Sequence, residues 1–137
     1  MRAVLDTNIL FSALISEHGP PHAIYRAWIA GVFHLITCSI QLDELRRASR
    51  YPKFRHYLKP HQVGLMINRL KAAIVVDDLS AEHEATDPHD SRLLALAVAA
   101  KADYLVTGDK RAGLLSRERI GTARILTATV FVQTALW

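Results

Sequence analysis

Five short apolar runs punctuate the chain, at residues 2–6 (RAVLD), 33–37 (FHLIT), 74–77 (IVVD), 104–107 (YLVT) and 123–126 (ARIL). They are continuous rather than alternating, the pattern of strands covered on both faces. Helical periodicity fills the gaps, near 8–17, 21–30, 39–51, 60–73, 89–102 and 127–136. Strands alternating with helices predict an α/β fold: a mainly parallel sheet between two helical layers. The stretch "SRLLALAVAA", residues 91–100, is apolar almost all round and predicts a central, largely buried helix. No repeat, low-complexity tract or linker interrupts the pattern, and 137 residues fit a single domain spanning 1–137.

That architecture gives the acids a meeting place, because open parallel sheets bind ligands outside the carboxyl ends of their strands. Asp6 ends the first strand, in "AVLDTNIL". Asp109 follows the fourth in "YLVTGDK", where Gly108 permits a tight turn. Asp87 and Asp90, in "TDPHD", open the buried helix, and Glu44 lies in "SIQLDELRR" after the second strand. Each has an ordinary local reading. Asp6 could cap the next helix, although Thr7 is available for that and Asp6 reads as still on the strand. Asp109 could be a turn residue, and Glu44 could pair with Arg47 at helical spacing. With Asp87 as cap and Pro88 at the first helical position, Asp90 falls third, as in a capping box. Jointly these readings weaken, since converging acids repel unless a cation holds them. An oxygen-only set without a Cys or His cluster points to a hard ion, Mg²⁺ or Mn²⁺.

Composition narrows the class. No apolar run approaches the about 18 residues of a membrane span. Asp6 interrupts what would be the apolar core of a signal peptide. Cys38 is the only cysteine, so no internal disulfide forms. The reading is a soluble, cytoplasmic domain. The net charge of +4 is unevenly spread. "RRASRYPKFRHYLK", residues 46–59, carries six cations and no acid, with Tyr51, Phe54 and Tyr57 interleaved. That mix suits phosphate contacts and base stacking, and equally a solvated helix face.

"VLDTNIL", "LDEL", "DPHDSRLLALAVAAKADYLVTGDK" and "ARILTATVFV" resemble the PIN-domain ribonucleases, specifically the compact VapC-like toxins of toxin–antitoxin pairs. The resemblance runs the whole length of the chain and is most specific over 87–110. It implies a three-layer α/β/α fold with a five-stranded, mainly parallel sheet, and metal-dependent endoribonuclease activity. The family's acidic positions fall on Asp6, Glu44, Asp90 and Asp109, and its polar supporting positions on Asn8 and Thr107. The spacer 111–121, "RAGLLSRERIG", departs from the family, which places an "LL" turn directly after the "TGDK" acid.

The expected chemistry is phosphodiester hydrolysis of RNA. Asp6, Asp90 and Asp109 would ligate Mg²⁺ or Mn²⁺, and Glu44 would act through water or orient the attacking water. Asn8 and Thr107 would hold carboxylates in place. Lys110 and Arg47 would contact RNA phosphates, and Asp87 would cap the helix. His89 reads as a surface residue at the helix start. A small antitoxin and a homodimer are the expected partners; the apolar tail "VFVQTALW" and the apolar face of 8–15 offer surfaces for them. The alternatives are a housekeeping RNA-processing nuclease and a PIN module that binds without cutting. A haloacid-dehalogenase-type phosphatase wants a second Asp where Asn8 stands. A receiver-like signalling module wants an acidic pair that is also missing.

Overall fold

The computed structural model describes residues 1–77, 88–108 and 113–136. The chain runs β1 (Arg2–Leu5), α1 (Thr7–Ile15), α2 (Pro20–Ile29), β2 (His34–Thr37), α3 (Ser39–Ala48), α4 (Pro52–Arg55), α5 (Pro60–Lys71) and β3 (Ile74–Val75). It continues through α6 (Pro88–Ala99), β4 (Tyr104–Val106), α7 (Leu114–Arg117), β5 (Arg119–Ile120), β6 (Ala123–Leu126) and α8 (Ala128–Ala135). The strands form one sheet in the order β3-β2-β1-β4-β6-β5. Every pairing is parallel except β5 with β6.

The continuous apolar strands are explained by the register. Val4 pairs with both Ile36 and Leu105, which in turn pairs with Ile125. These four side chains face α6 and α7. Ala3, Leu5, Leu35, Val106 and Leu126 face the opposite layer, which includes α1, α2, α3, α5 and α8. In α6, Leu93 through Ala97 are all buried, as its all-round apolar pattern requires. Prolines set several helix starts, at Pro20, Pro52 and Pro60, where the missing N–H costs nothing and φ is already helical.

The structure departs from the sequence expectations at several places. Among the described residues the sheet has six strands, not five, because the short antiparallel β5 forms within the 111–121 spacer. In the same spacer Leu114 is fully buried and anchors α7, so the "LL" pair still makes a helical turn. The helix expected over 39–51 stops at Ala48, and Pro52 begins the separate turn α4. The strand expected over 74–77 stops at Val75, because Asp77 turns to the start of α3. The strand expected over 2–6 stops at Leu5, and Asp6 is the N-cap of α1 after all, with φ −61° and ψ 145°. Among the described residues no helix is long and apolar enough to cross a membrane.

The apolar surfaces expected to receive partners pack in large part against the chain itself, with Ile15 and Val130 left exposed. Ile9, Leu10, Phe11 and Ala13 of α1 are buried in the core. Phe131 of the tail is fully buried and meets Phe33 and Tyr104 edge-on, at centroid distances of 5.6 and 5.3 Å.

Candidate active site

The carboxyl edge of β1 holds a buried polar network. Asp6 leaves the strand with its N–H donating to the Val106 carbonyl at 2.9 Å, which ties the tips of β1 and β4 together. Its side chain is only 3% exposed and accepts at both oxygens. The Thr107 hydroxyl donates to Oδ2 at 2.9 Å, and the Asn8 backbone N–H donates to Oδ1 at 3.4 Å. Charge here also gains from the positive end of the α1 dipole. A burial this deep is costly for a carboxylate, and these donors offset part of that cost.

A second layer of the network comes from residues the sequence reading missed. Gln41, buried on α3, donates from Nε2 to the Leu5 carbonyl at 2.8 Å. Its Oε1 accepts from the Thr37 hydroxyl at 2.6 Å, so the tips of β1 and β2 are joined through one amide. The available signal was a glutamine on the face of α3 that carries Leu45 and Ala48, a polar residue in a buried row. Asp77 closes the same edge at β3: it accepts from the Ser39 N–H at 2.7 Å and the Ser39 hydroxyl at 2.8 Å. The backbone N–H bond, then the hydroxyl, holds the Asp77 carboxyl below the usual range. Cys38, beside it, is buried, and desolvation pushes its thiol pKa up.

The other acids divide. Asp90 lies in the first turn of α6 and is 2% exposed. Because α6 leads into β4, which starts at the opposite edge of the sheet, the amino end of α6 lies at the carboxyl edge with Asp6. Glu44, half-buried on α3, meets Arg92 of α6 at 3.4 Å rather than Arg47. This ion pair connects α3 to the turn that carries Asp90. Asn8 is exposed, and its backbone rather than its side chain makes the bond to Asp6. Arg47 is exposed on α3. Asp87, Asp109 and Lys110 lie outside the described residues, as does the side chain of His89. Among the described residues no three His, Cys, Asp or Glu side chains form a metal-sized group. The donors that the edge does present are oxygens, from Asp6 and Asp90, and oxygens suit a hard divalent ion.

A family model for the PIN domain matches residues 2–111. The chain belongs to the PIN-domain family. The matched span of this PIN domain includes Asp6, Glu44, Asp90 and Asp109. Among solved structures, it is similar to a chain of the crystal structure of VapBC2 from Rickettsia felis bound to a DNA fragment from their promoter, at a TM-score of 0.57 and 18% identity. That match covers 93% of this PIN domain and 98% of the other chain, and it concerns the fold. No curated protein matches the sequence significantly.

Proposed function

We propose that this PIN domain is a Mg²⁺- or Mn²⁺-dependent endoribonuclease and the toxin of a type II toxin–antitoxin pair. The observation that carries the reading is Asp6, a carboxylate buried at the tip of β1 and oriented by Thr107, on a PIN fold. Asp6 and Asp90 would hold the ion together with Asp109, and Glu44 would assist through water. When bound, the ion supplies charge neutralisation at the scissile phosphate and lowers the pKa of a nearby water.

The chain's own residues do the positioning. Thr107 and the Asn8 N–H fix both Asp6 oxygens, and Gln41 pins the strand end behind them. Arg92 holds Glu44 against the start of α6 and moderates repulsion among the acids. Arg47 and Lys110 would contact the RNA backbone. The likeness to a VapBC2 chain supports a small antitoxin as partner, and a homodimer is the proposed assembly.

The test is cleavage of single-stranded RNA by the purified protein with Mg²⁺ or Mn²⁺. Cleavage that stops on chelation and returns with the ion supports the reading; cleavage that persists in excess EDTA defeats it.

A further inference from the structure

The ion pair between Glu44 and Arg92 joins the two helical layers across the carboxyl edge of the sheet. Leu42 and Leu45 set α3, which carries Glu44, in one layer. Leu93 and Leu94 set α6, which carries Arg92, in the other. The two side chains lie 48 residues apart in sequence and meet at 3.4 Å. Their meeting point is therefore over the strand ends. Cys38, which follows β2, reports the same placement: burial pushes its thiol pKa up, and Arg92 is among the groups that oppose the shift.

This pair differs from an ordinary surface contact. Its side chains are 28% and 29% exposed, against 41% and 64% for Arg46 and Asp43 on α3. Less water screens it, and loss of one partner would leave the other partly desolvated. The contact is nevertheless a single N–H to one oxygen, not a bidentate fork, so it orients Glu44 without saturating it.

The helical turn adds a second constraint. Arg92 follows Asp90 by two residues, about 200° around α6, so the two side chains leave the helix on different sides. Asp90 enters the buried edge, and Arg92 reaches out to α3. One turn thus presents an anion to the edge and a cation beside it.

We infer that Arg92 is a positioning residue: it holds Glu44 off the proposed ion, so that Glu44 serves a water rather than the ion itself. This role rests on the nuclease reading and deepens it. Arg92 and a hard ion compete for the same carboxylate. Breaking the pair should therefore tighten ion binding and slow the reaction together. A residue needed only for folding would weaken both, and a contact to RNA phosphate would change the KM for RNA.

Mn²⁺ affinity is measured on the intact protein without RNA, by electron paramagnetic resonance of the free ion, and RNA cleavage is measured separately at saturating Mn²⁺. Arg92→Met should bind Mn²⁺ about fivefold tighter or more. Its kcat should fall about tenfold or more, with little change in KM. In a Glu44→Gln background the gain in Mn²⁺ affinity should shrink below about twofold, because no carboxylate is left for Arg92 to hold. Arg92→Lys keeps the charge and can make a single bond, so it should restore most of both values. Circular dichroism should be unchanged throughout, and Arg92→Gln takes the place of Arg92→Met should the latter unfold. Equal tightening in both backgrounds overturns the inference, since Arg92 then acts only through its charge. Unchanged or weaker Mn²⁺ binding also overturns it, and a raised KM at unchanged kcat makes Arg92 an RNA contact instead. A parent protein that binds no Mn²⁺ defeats the nuclease reading, and this role falls with it; Mn²⁺ binding indifferent to Arg92 defeats this role alone.

Discussion

Two polar regions flank α3, and they are built on opposite principles. At the carboxyl edge, Asp6, Thr107, Gln41 and Thr37 are almost wholly buried, and each has a hydrogen-bond partner. In the groove between α3 and α5, Arg50 and Arg55 are exposed. The buried network fixes geometry, since each of its polar groups is expensive to leave without a partner. The exposed cations cost little to keep in water and supply attraction without fixed geometry. A site for chemistry needs the first arrangement.

The sharpest break in this contrast comes from Asp6→Asn. The amide keeps the shape, its oxygen can accept from the Asn8 N–H and its NH2 can donate to the Thr107 hydroxyl, so the protein should fold while RNA cleavage is abolished. On the proposed convergence of acids, removing one charge should leave the melting temperature without metal level or raise it, and the stabilisation added by Mn²⁺ should shrink. An active Asp6→Asn protein would reduce Asp6 to a helix cap.

Stability should separate the regions next. Gln41→Leu removes the bonds to the Leu5 carbonyl and the Thr37 hydroxyl and should cost about 1–3 kcal/mol in urea unfolding. Arg55→Ala, in the groove, should change stability by less than about 0.5 kcal/mol. Equal effects would erase the distinction. Gly64→Ala should then stabilise the protein by about 0.5–1 kcal/mol, because the added methyl meets open space. A loss instead would show that the chain itself needs the glycine.

The smallest effect concerns acid. Asp77 has a lowered pKa in the fold, so its bonds to Ser39 stabilise the protein above the ordinary carboxylate pKa of about 4. That contribution fades as pH falls from there through the lower folded value. Asp77→Asn should accordingly show a smaller drop in melting temperature between neutral pH and pH about 3 than the parent protein. Parallel pH curves would remove Asp77 from the edge's electrostatics.

Much of the fold was legible in local pattern. The five parallel strands, the all-round apolar α6 and the placing of Asp6 at a strand tip follow from runs of neighbouring residues and from the rule that parallel strands collect their ends on one edge. β5 was not legible, because two residues in a spacer carry no periodicity and pair only once β6 is beside them. The status of Asp6 was misjudged for a related reason: cap and strand end differ by one residue, and the backbone's turn into α1 decides between them.

The sequence by itself determined which residues are apolar enough to form the sheet and its cover, and that Asp6 stands at the tip of β1. Only the tertiary structure decided their partners. Thr107 reaches Asp6 across 101 residues, and Arg92 reaches Glu44 across 48, because parallel register and helix packing bring distant segments together. The groove has the same origin. Arg46, Gly64 and Lys71 share a surface once α3 and α5 lie side by side, and periodicity within either helix carries no information about that distance.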